Sequence, residues 1–186
     1  MVLARRLLSS SSGSGSFVVP AHLRTVTSAS QGGAIVVNTP WAVYYNGKVY
    51  VAYVRGDNGN IEIVSHDVAS STTSSAFVLH AAYEVDNHAA PSICVLASGH
   101  IVVAYSKHNA APINIRVSTN AEDITAWDSE QVQGHGPSTY CNLLEMSAEG
   151  KLYLFYRWID PALTPETSQV YYITSTDGGS TWSADA

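Results

Sequence analysis

Three segments of the 186-residue chain are written on one template. They are WAVYYNGKVYVAYV (Trp41–Val54), PSICVLASGHIVVAYS (Pro91–Ser106) and CNLLEMSAEGKLYLFYR (Cys141–Arg157). Each reads as an apolar strand, a turn ending in Gly, and a second alternating strand ending in Tyr. Gly47, Gly99 and Gly150 lie 52 and 51 residues apart, and Tyr53, Tyr105 and Tyr156 keep the same spacing. A third strand follows in each unit: IEIVSHD (Ile61–Asp67), INIRVST (Ile113–Thr119) and VYYITSTD (Val170–Asp177). AFVLHAAYE and EQVQG are fainter candidates for fourth strands. No window longer than AEDITAW carries a helical period. Short strands in a repeat of about fifty residues predict an all-β chain, a β-propeller of four-stranded antiparallel blades. An irregular sandwich would not keep three glycine–tyrosine pairs in register.

The third unit ends in STDGGSTW (Ser175–Trp182), which fits S-x-D-x-G-x-T-W and resembles the Asp-box of sialidase-type propellers. Its work is local. Asp accepts hydrogen bonds within a turn between the third and fourth strands, and Trp packs into the blade. STNAEDITAW in the second unit is a degenerate copy. The expected layout is a flexible leader at 1–32 and blades at about 33–85, 86–135 and 136–186. Propellers close with at least four blades. The missing blades are expected either from a longer parent chain or from self-association, since an open ring exposes blade faces.

Composition narrows the function. The formal charge is −6 with nine scattered Lys and Arg, which excludes a nucleic-acid surface. No stretch is long and apolar enough to span a membrane. Cys94 and Cys141 make no disulfide framework; they read as buried free thiols, with a single bridge between them left open. The leader is free of acidic residues and carries a Ser/Gly run from Ser9 to Ser16. Arg5 and Arg6 precede only two leucines, so the apolar core of a secretory signal is missing. A disordered leader, a transit peptide and an attachment tail all fit it.

Strand direction places the chemistry. In an up-and-down blade, the loop into the first strand and the link from second to third strand share one rim. His88 stands in the first of these in the second unit and His108 in the second. Tyr140 and Arg157 take the corresponding places in the third unit. Two imidazoles, a phenol and a guanidinium are therefore expected on one rim of adjacent blades, where rigid scaffolds carry their sites. Each alone could be an ordinary surface residue, and Arg157 could simply pair with Asp160 or Asp86. Arg55 and His66 are weaker candidates. His22, His80, His100 and His135 belong to no group.

The stretches DNHAAPSI, YSKHN, STNAEDITAW, TYCN and LYLFYR resemble the BNR-4 type propellers, a family that includes the seven-bladed ulvan lyases. That resemblance runs from about Trp41 to the C-terminus. It implies a catalytic set of His88, His108, Tyr140 and Arg157. Asn109, Asn142 and Trp158 are the adjoining substrate-binding candidates. The family's D-D-H-N-N-P and T-Y-P-N are altered here at Asn87, Ala89, Ala90 and Cys141, removing hydrogen-bonding groups and leaving the substrate open. The implied reaction is β-elimination on a uronate-containing polysaccharide, sulfated or not. Arg157 would neutralise the carboxylate, an imidazole would take the α-proton and Tyr140 would protonate the leaving oxygen.

Two other readings stay open. A non-catalytic carbohydrate-binding or structural propeller would stack sugars on Trp41, Tyr140 or Trp158. A sialidase would need an arginine triad and typically opens with an Arg-Ile-Pro stretch, which is absent here; another exo-glycosidase would want paired rim carboxylates, and Asp86 is the one good rim acid. Whether the chain is an enzyme is thus undecided by sequence. No cofactor or catalytic metal is expected, and a structural ion stays open. The expected partner is a polysaccharide. The glycan reading favours a secreted, surface-attached or virion-associated protein.

Overall fold

A computed structural model describes residues 40–160, 162 and 167–184; the expected leader at 1–32 lies outside them. The regular elements of the described residues are all β-strands, apart from two single 3₁₀ turns. Blade one is formed by β1 (Ala42–Tyr45), β2 (Lys48–Val54), β3 (Ile61–Asp67) and β5 (Phe77–His80), with the two-residue β4 (Thr72–Thr73) on the end of β3. Blade two has β6 (Ser92–Val95), β7 (Ile101–Tyr105) and β8 (Ala111–Val117). Its outer strand is the start of β9 (Gln131–Met146), which pairs with β8. The far end of β9 pairs instead with β10 (Lys151–Asp160), and β10 with β11 (Thr167–Ser175), to make blade three. All pairs are antiparallel. Blades two and three are thus one sheet joined through β9, which crosses the border expected at 135/136.

The repeat has a physical meaning at both of its marked positions. Asn46 and Gly47 have φ of 45° and 83° between the paired Tyr45 and Lys48, a two-residue hairpin turn that wants positive φ twice. Gly99 and Gly150 also have positive φ. The three tyrosines are buried on second strands; Tyr105 ends β7 and Tyr53 is next to last in β2, while β10 runs on four residues past Tyr156. Tyr105 faces the core shared with blade one, and Tyr156 the core shared with blade two. Tyr53 packs with Val51 and Val64 on blade one's face away from blade two.

Alternation along β7 explains how the blades stack. Ile101, Val103 and Tyr105 join Tyr50, Ala52, Val54, Ile61 and Ile63 of blade one. Val102 and Ala104 join Leu143, Leu152, Leu154 and Ile173 of blade three. β7 is therefore apolar on both faces, as a strand sandwiched between two sheets must be. The first strands lie side by side, with Ile93 N donating to Pro40 O at 2.7 Å and Leu143 N to Ser92 Oγ at 2.8 Å.

The Asp-box turn forms as its residues require. Asp177 accepts from the Thr181 hydroxyl (2.6 Å) and amide (2.9 Å), and Trp182 Nε1 donates to Gly179 O (3.2 Å). In the degenerate copy, Asp123 takes over the acceptor role for Thr125, and Trp127 Nε1 donates to Ile124 O at 2.8 Å. Both cysteines are free; Cys141 is buried, but Cys94 is only half-buried. Burial pushes the Cys94 thiol up to about 11 and the Cys141 thiol up to about 12. Among the described residues no helix is long and apolar enough to cross a membrane.

Candidate functional site

The segment leading into blade two is tied down before it reaches His88. Gly59 O accepts from Tyr83 N (3.0 Å) and Glu84 N (3.2 Å), and Asn60 Oδ1 accepts from Ala82 N (2.8 Å). Asp86 then caps the 3₁₀ turn Asn87–Ala89 by accepting the His88 amide at 2.7 Å. Ala89 and Ala90, where the resembled motif carries amides, are buried. Apolar methyl groups suit that position.

His88 and His108 lie with ring centroids 4.0 Å apart and planes within 8° of parallel. Asp86 holds them both. Its Oδ1 is 2.6 Å from His88 Nδ1 and its Oδ2 is 3.4 Å from His108 Nδ1. Glu84 Oε2 accepts the His108 amide at 2.7 Å, fixing the backbone of the second imidazole. Burial pushes the Asp86 carboxyl up, but the His88 amide and ring and the charge of both imidazoles outweigh it and hold the carboxyl below its ordinary value. Each of the three side chains is about one-third exposed, open enough for a solute to reach.

Blade three continues the row. The Tyr140 ring is 5.8 Å from His88, and the Arg157 guanidinium carbon lies 4.5 Å from the Tyr140 ring centroid. Arg157 Nη2 donates to Asn109 Oδ1, which returns the row to the His108 loop. Among the described residues Arg157 pairs with neither Asp160 nor Asp86, the partners that sequence offered it. Its place beside Tyr140 comes from a bulge. Thr139 faces Arg157 and Asn142 faces Phe155, so Tyr140 and Cys141 together oppose Tyr156. Tyr140 has φ of 62°, a left-handed backbone that a bulky residue seldom adopts. Asn109 has φ of 55°. Such outliers concentrate where geometry serves function.

Thr139 Oγ1 also donates to the carbonyl of His88 at 3.3 Å, a direct tie between the two blades at the site. Beside the row is an open groove of about 320 Å³, lined by Tyr140, Asn142, Phe155, Arg157 and Val170. Asn142 thus joins the group through this groove. Trp158 does not. It follows Arg157 on a regular strand, so it lies on the opposite face, stacked on His135 at 4.3 Å and edge-on to Tyr171 at 5.2 Å.

Of the weaker candidates, Arg55 pairs with Asp57 and Glu62, and His66 Nδ1 meets Thr73 Oγ1 at 2.9 Å. His80 belongs to a polar cluster that sequence did not suggest. Glu130 accepts from the Tyr105 hydroxyl and from Asn114 Nδ2 (2.6 Å), and lies 2.7 Å from His80 Nδ1. Burial raises the Glu130 carboxyl, yet these bonds and the His80 charge leave it lowered. His100 is on the other rim, where a cavity is lined by Ser98, His100, Asp128 and Asp177. His22 lies outside the described residues.

Comparison with known proteins agrees with this architecture. A crystal structure of the polysaccharide lyase Uly1 superposes with a TM-score of 0.58 at 12% identity, covering 81% of this chain and 41% of that one. The chain therefore spans well under half the length of that relative, and the likeness is one of fold. No curated protein sequence matches it. The family model described as "BNR repeat-containing family member" matches residues 48–157, a span that runs from β2 through the whole row to Arg157. The chain belongs to the BNR repeat-containing family.

Proposed function

We propose that the rim of blades two and three binds a uronate-containing polysaccharide and cleaves it by β-elimination. The observation that carries this is the unbroken row His108–His88–Tyr140–Arg157, closed by Asn109. β-Elimination asks for three groups within one sugar's reach: a cation for the carboxylate, a base for the α-proton and an acid for the leaving oxygen.

Arg157 supplies the cation, with Asn109 orienting its fork. Asp86 accepts Nδ1–H of His88, which leaves the Nε2 lone pair as the base. The base takes the C5 proton, the C4–O bond breaks, a C4=C5 double bond forms, and Tyr140 O–H protonates the departing oxygen. His108, stacked on His88 and held by the same carboxylate, positions it. A glycosidase reading is weaker, because Asp86 is committed to two imidazoles and is not free to serve as a general acid.

The second reading is sugar binding without turnover. It is favoured by the open groove beside Tyr140, where Phe155 and Arg157 offer stacking and charge without any further acid or base. One assay separates the two. The chain is incubated with a panel of polyuronates, sulfated ones included, while the near-ultraviolet absorbance of the unsaturated product is followed. The lyase reading expects absorbance growth that is lost in both His88→Ala and Tyr140→Phe. Growth that survives both substitutions discards these residues. Binding without growth by a cooperatively melting chain leaves the sugar-binding reading.

A further inference from the structure

We infer that Asp86, His88 and His108 form a binding site for a borderline divalent transition-metal cation, of which Zn²⁺ is the type. One donor atom from each residue lies within 4.8 Å of the other two. Two imidazole nitrogens and one carboxylate are the donor set that such cations prefer, and Mg²⁺ and Ca²⁺ would ask for more oxygen. In a tetrahedral site with bonds of about 2.0–2.1 Å, two donors stand on the order of 3.3 Å apart. Here Asp86 Oδ2 stands 3.4 Å from His108 Nδ1, while His88 Nδ1 faces Oδ1 at 2.6 Å. Imidazole lone pairs lie in the ring planes, so the stacked pair must open, one ring turning about its side-chain bonds, for both nitrogens to meet one cation.

The surroundings hold the donors as a metal site requires. Oδ1 of Asp86 is already anchored by the His88 amide, which leaves Oδ2 to face the cation. The His108 amide is fixed by Glu84, and the His88 carbonyl by the Thr139 hydroxyl. Such outer bonds orient ligands and raise their affinity. Three protein ligands leave a fourth position at the rim for water or for a sugar oxygen.

Coordination would also change the imidazoles. A neutral imidazole bound through Nδ1 carries its one proton on Nε2, so His88 gives up its Nδ1 proton to solvent and takes one up from solvent at Nε2. His88 then has no lone pair at Nε2. Resting on the lyase reading, this makes the cation an inhibitor that a chelator reverses. Metal binding itself does not depend on that reading.

The test is direct titration of the metal-stripped chain with Co²⁺, following its visible d–d absorption, with Zn²⁺ then added as competitor. A saturable one-to-one band, displaced by Zn²⁺ but not by Mg²⁺ or Ca²⁺, is expected. In His88→Gln and in His108→Gln the affinity should fall roughly 10-fold or more. Circular dichroism melts run beside both variants, and either one that melts cooperatively is sufficient for the comparison. A folded chain without a saturable band would overturn the site. So would a band unchanged in the folded variant, or one displaced equally by Ca²⁺. Turnover is not part of this readout. An active lyase that binds no Co²⁺ loses only the metal site, and a Co²⁺-binding chain without turnover loses only the lyase.

Discussion

Gly59 connects blade one to the site without touching it, and its replacement by Ala isolates that link. The residue has φ of 71°, so any side chain there takes on the left-handed penalty of about 1–2 kcal/mol. A Cβ would also stand 2.7 Å from the Glu84 carbonyl carbon, 2.9 Å from its oxygen and 3.0 Å from its nitrogen. All three atoms are backbone, so no rotamer change relieves the contact. To reach ordinary contact the Glu84 backbone must retreat by about 0.7 Å, and overpacking of this kind costs roughly 1–3 kcal/mol. The total for Gly59→Ala is about 2–5 kcal/mol.

Gly47→Ala is the control. Its φ is 83° and nothing lies within 4 Å of the added Cβ, so only the conformational penalty of about 1–2 kcal/mol applies. Urea denaturation of the two variants beside the parent gives the difference, expected at about 1–3 kcal/mol in favour of Gly47→Ala. In thermal melts each kcal/mol moves Tm by about 2–4 °C for a chain of this size. Equal losses would refute the claim that Gly59 is required for the closeness of Glu84. A second consequence is functional. Glu84 accepts the His108 amide and precedes Asp86 by two residues, so Gly59→Ala should loosen the row and lower turnover, while Gly47→Ala should not.

The other expectations concern separate parts of the molecule. Asp177 is held down to about 2, first by the Thr181 hydroxyl, then by its amide and by Ser175, against a small opposing effect of burial. Its folded value is depressed, so its contribution to stability is complete above about pH 4 and is lost as pH falls through about 2. The gap in urea midpoint between the parent and Asp177→Asn should close over that window. Glu130→Ala strands the donors of Tyr105 and Asn114 and should cost about 2–3 kcal/mol in denaturant unfolding, with Glu130→Gln costing about half of that. Arg157→Lys keeps the charge but loses the fork over Tyr140 toward Asn109, and polyuronate turnover should fall by roughly 10- to 100-fold in kcat/KM.

The fold was written in the chain because its marks are backbone and burial requirements that recur. Gly47, Gly99 and Gly150 all need positive φ, and Tyr53, Tyr105 and Tyr156 all fill the face toward the preceding blade position. Such demands are local and survive in sequence. The rim followed from strand direction alone, which is why His88, His108, Tyr140 and Arg157 could be expected together. Trp158 shows that rule applied incompletely. Trp158 adjoins Arg157 in sequence, but adjacent strand residues point to opposite faces, and Trp158 stacks on His135. That separation of neighbouring residues is legible in the sequence.

The rest is not. Tyr140 reaches the row through a bulge and a left-handed φ, and neither has a mark in T-Y-C-N, since a tyrosine does not announce positive φ as glycine does. Asp86 read as a lone rim acid because its hold on His108 spans 22 positions and depends on how two loops meet. Glu130 is hidden for the same reason, its partners His80, Tyr105 and Asn114 lying on three separate strands. These contacts cross between elements, and their geometry is set by blade stacking. The row itself depends on that stacking: both histidines belong to blade two, Tyr140 and Arg157 to blade three, and Thr139 bonds across to His88. A single blade carries half of the group, so the elimination proposed for this rim requires blades two and three to be packed through the Val102, Ala104 and Leu154 core before a substrate could be held there.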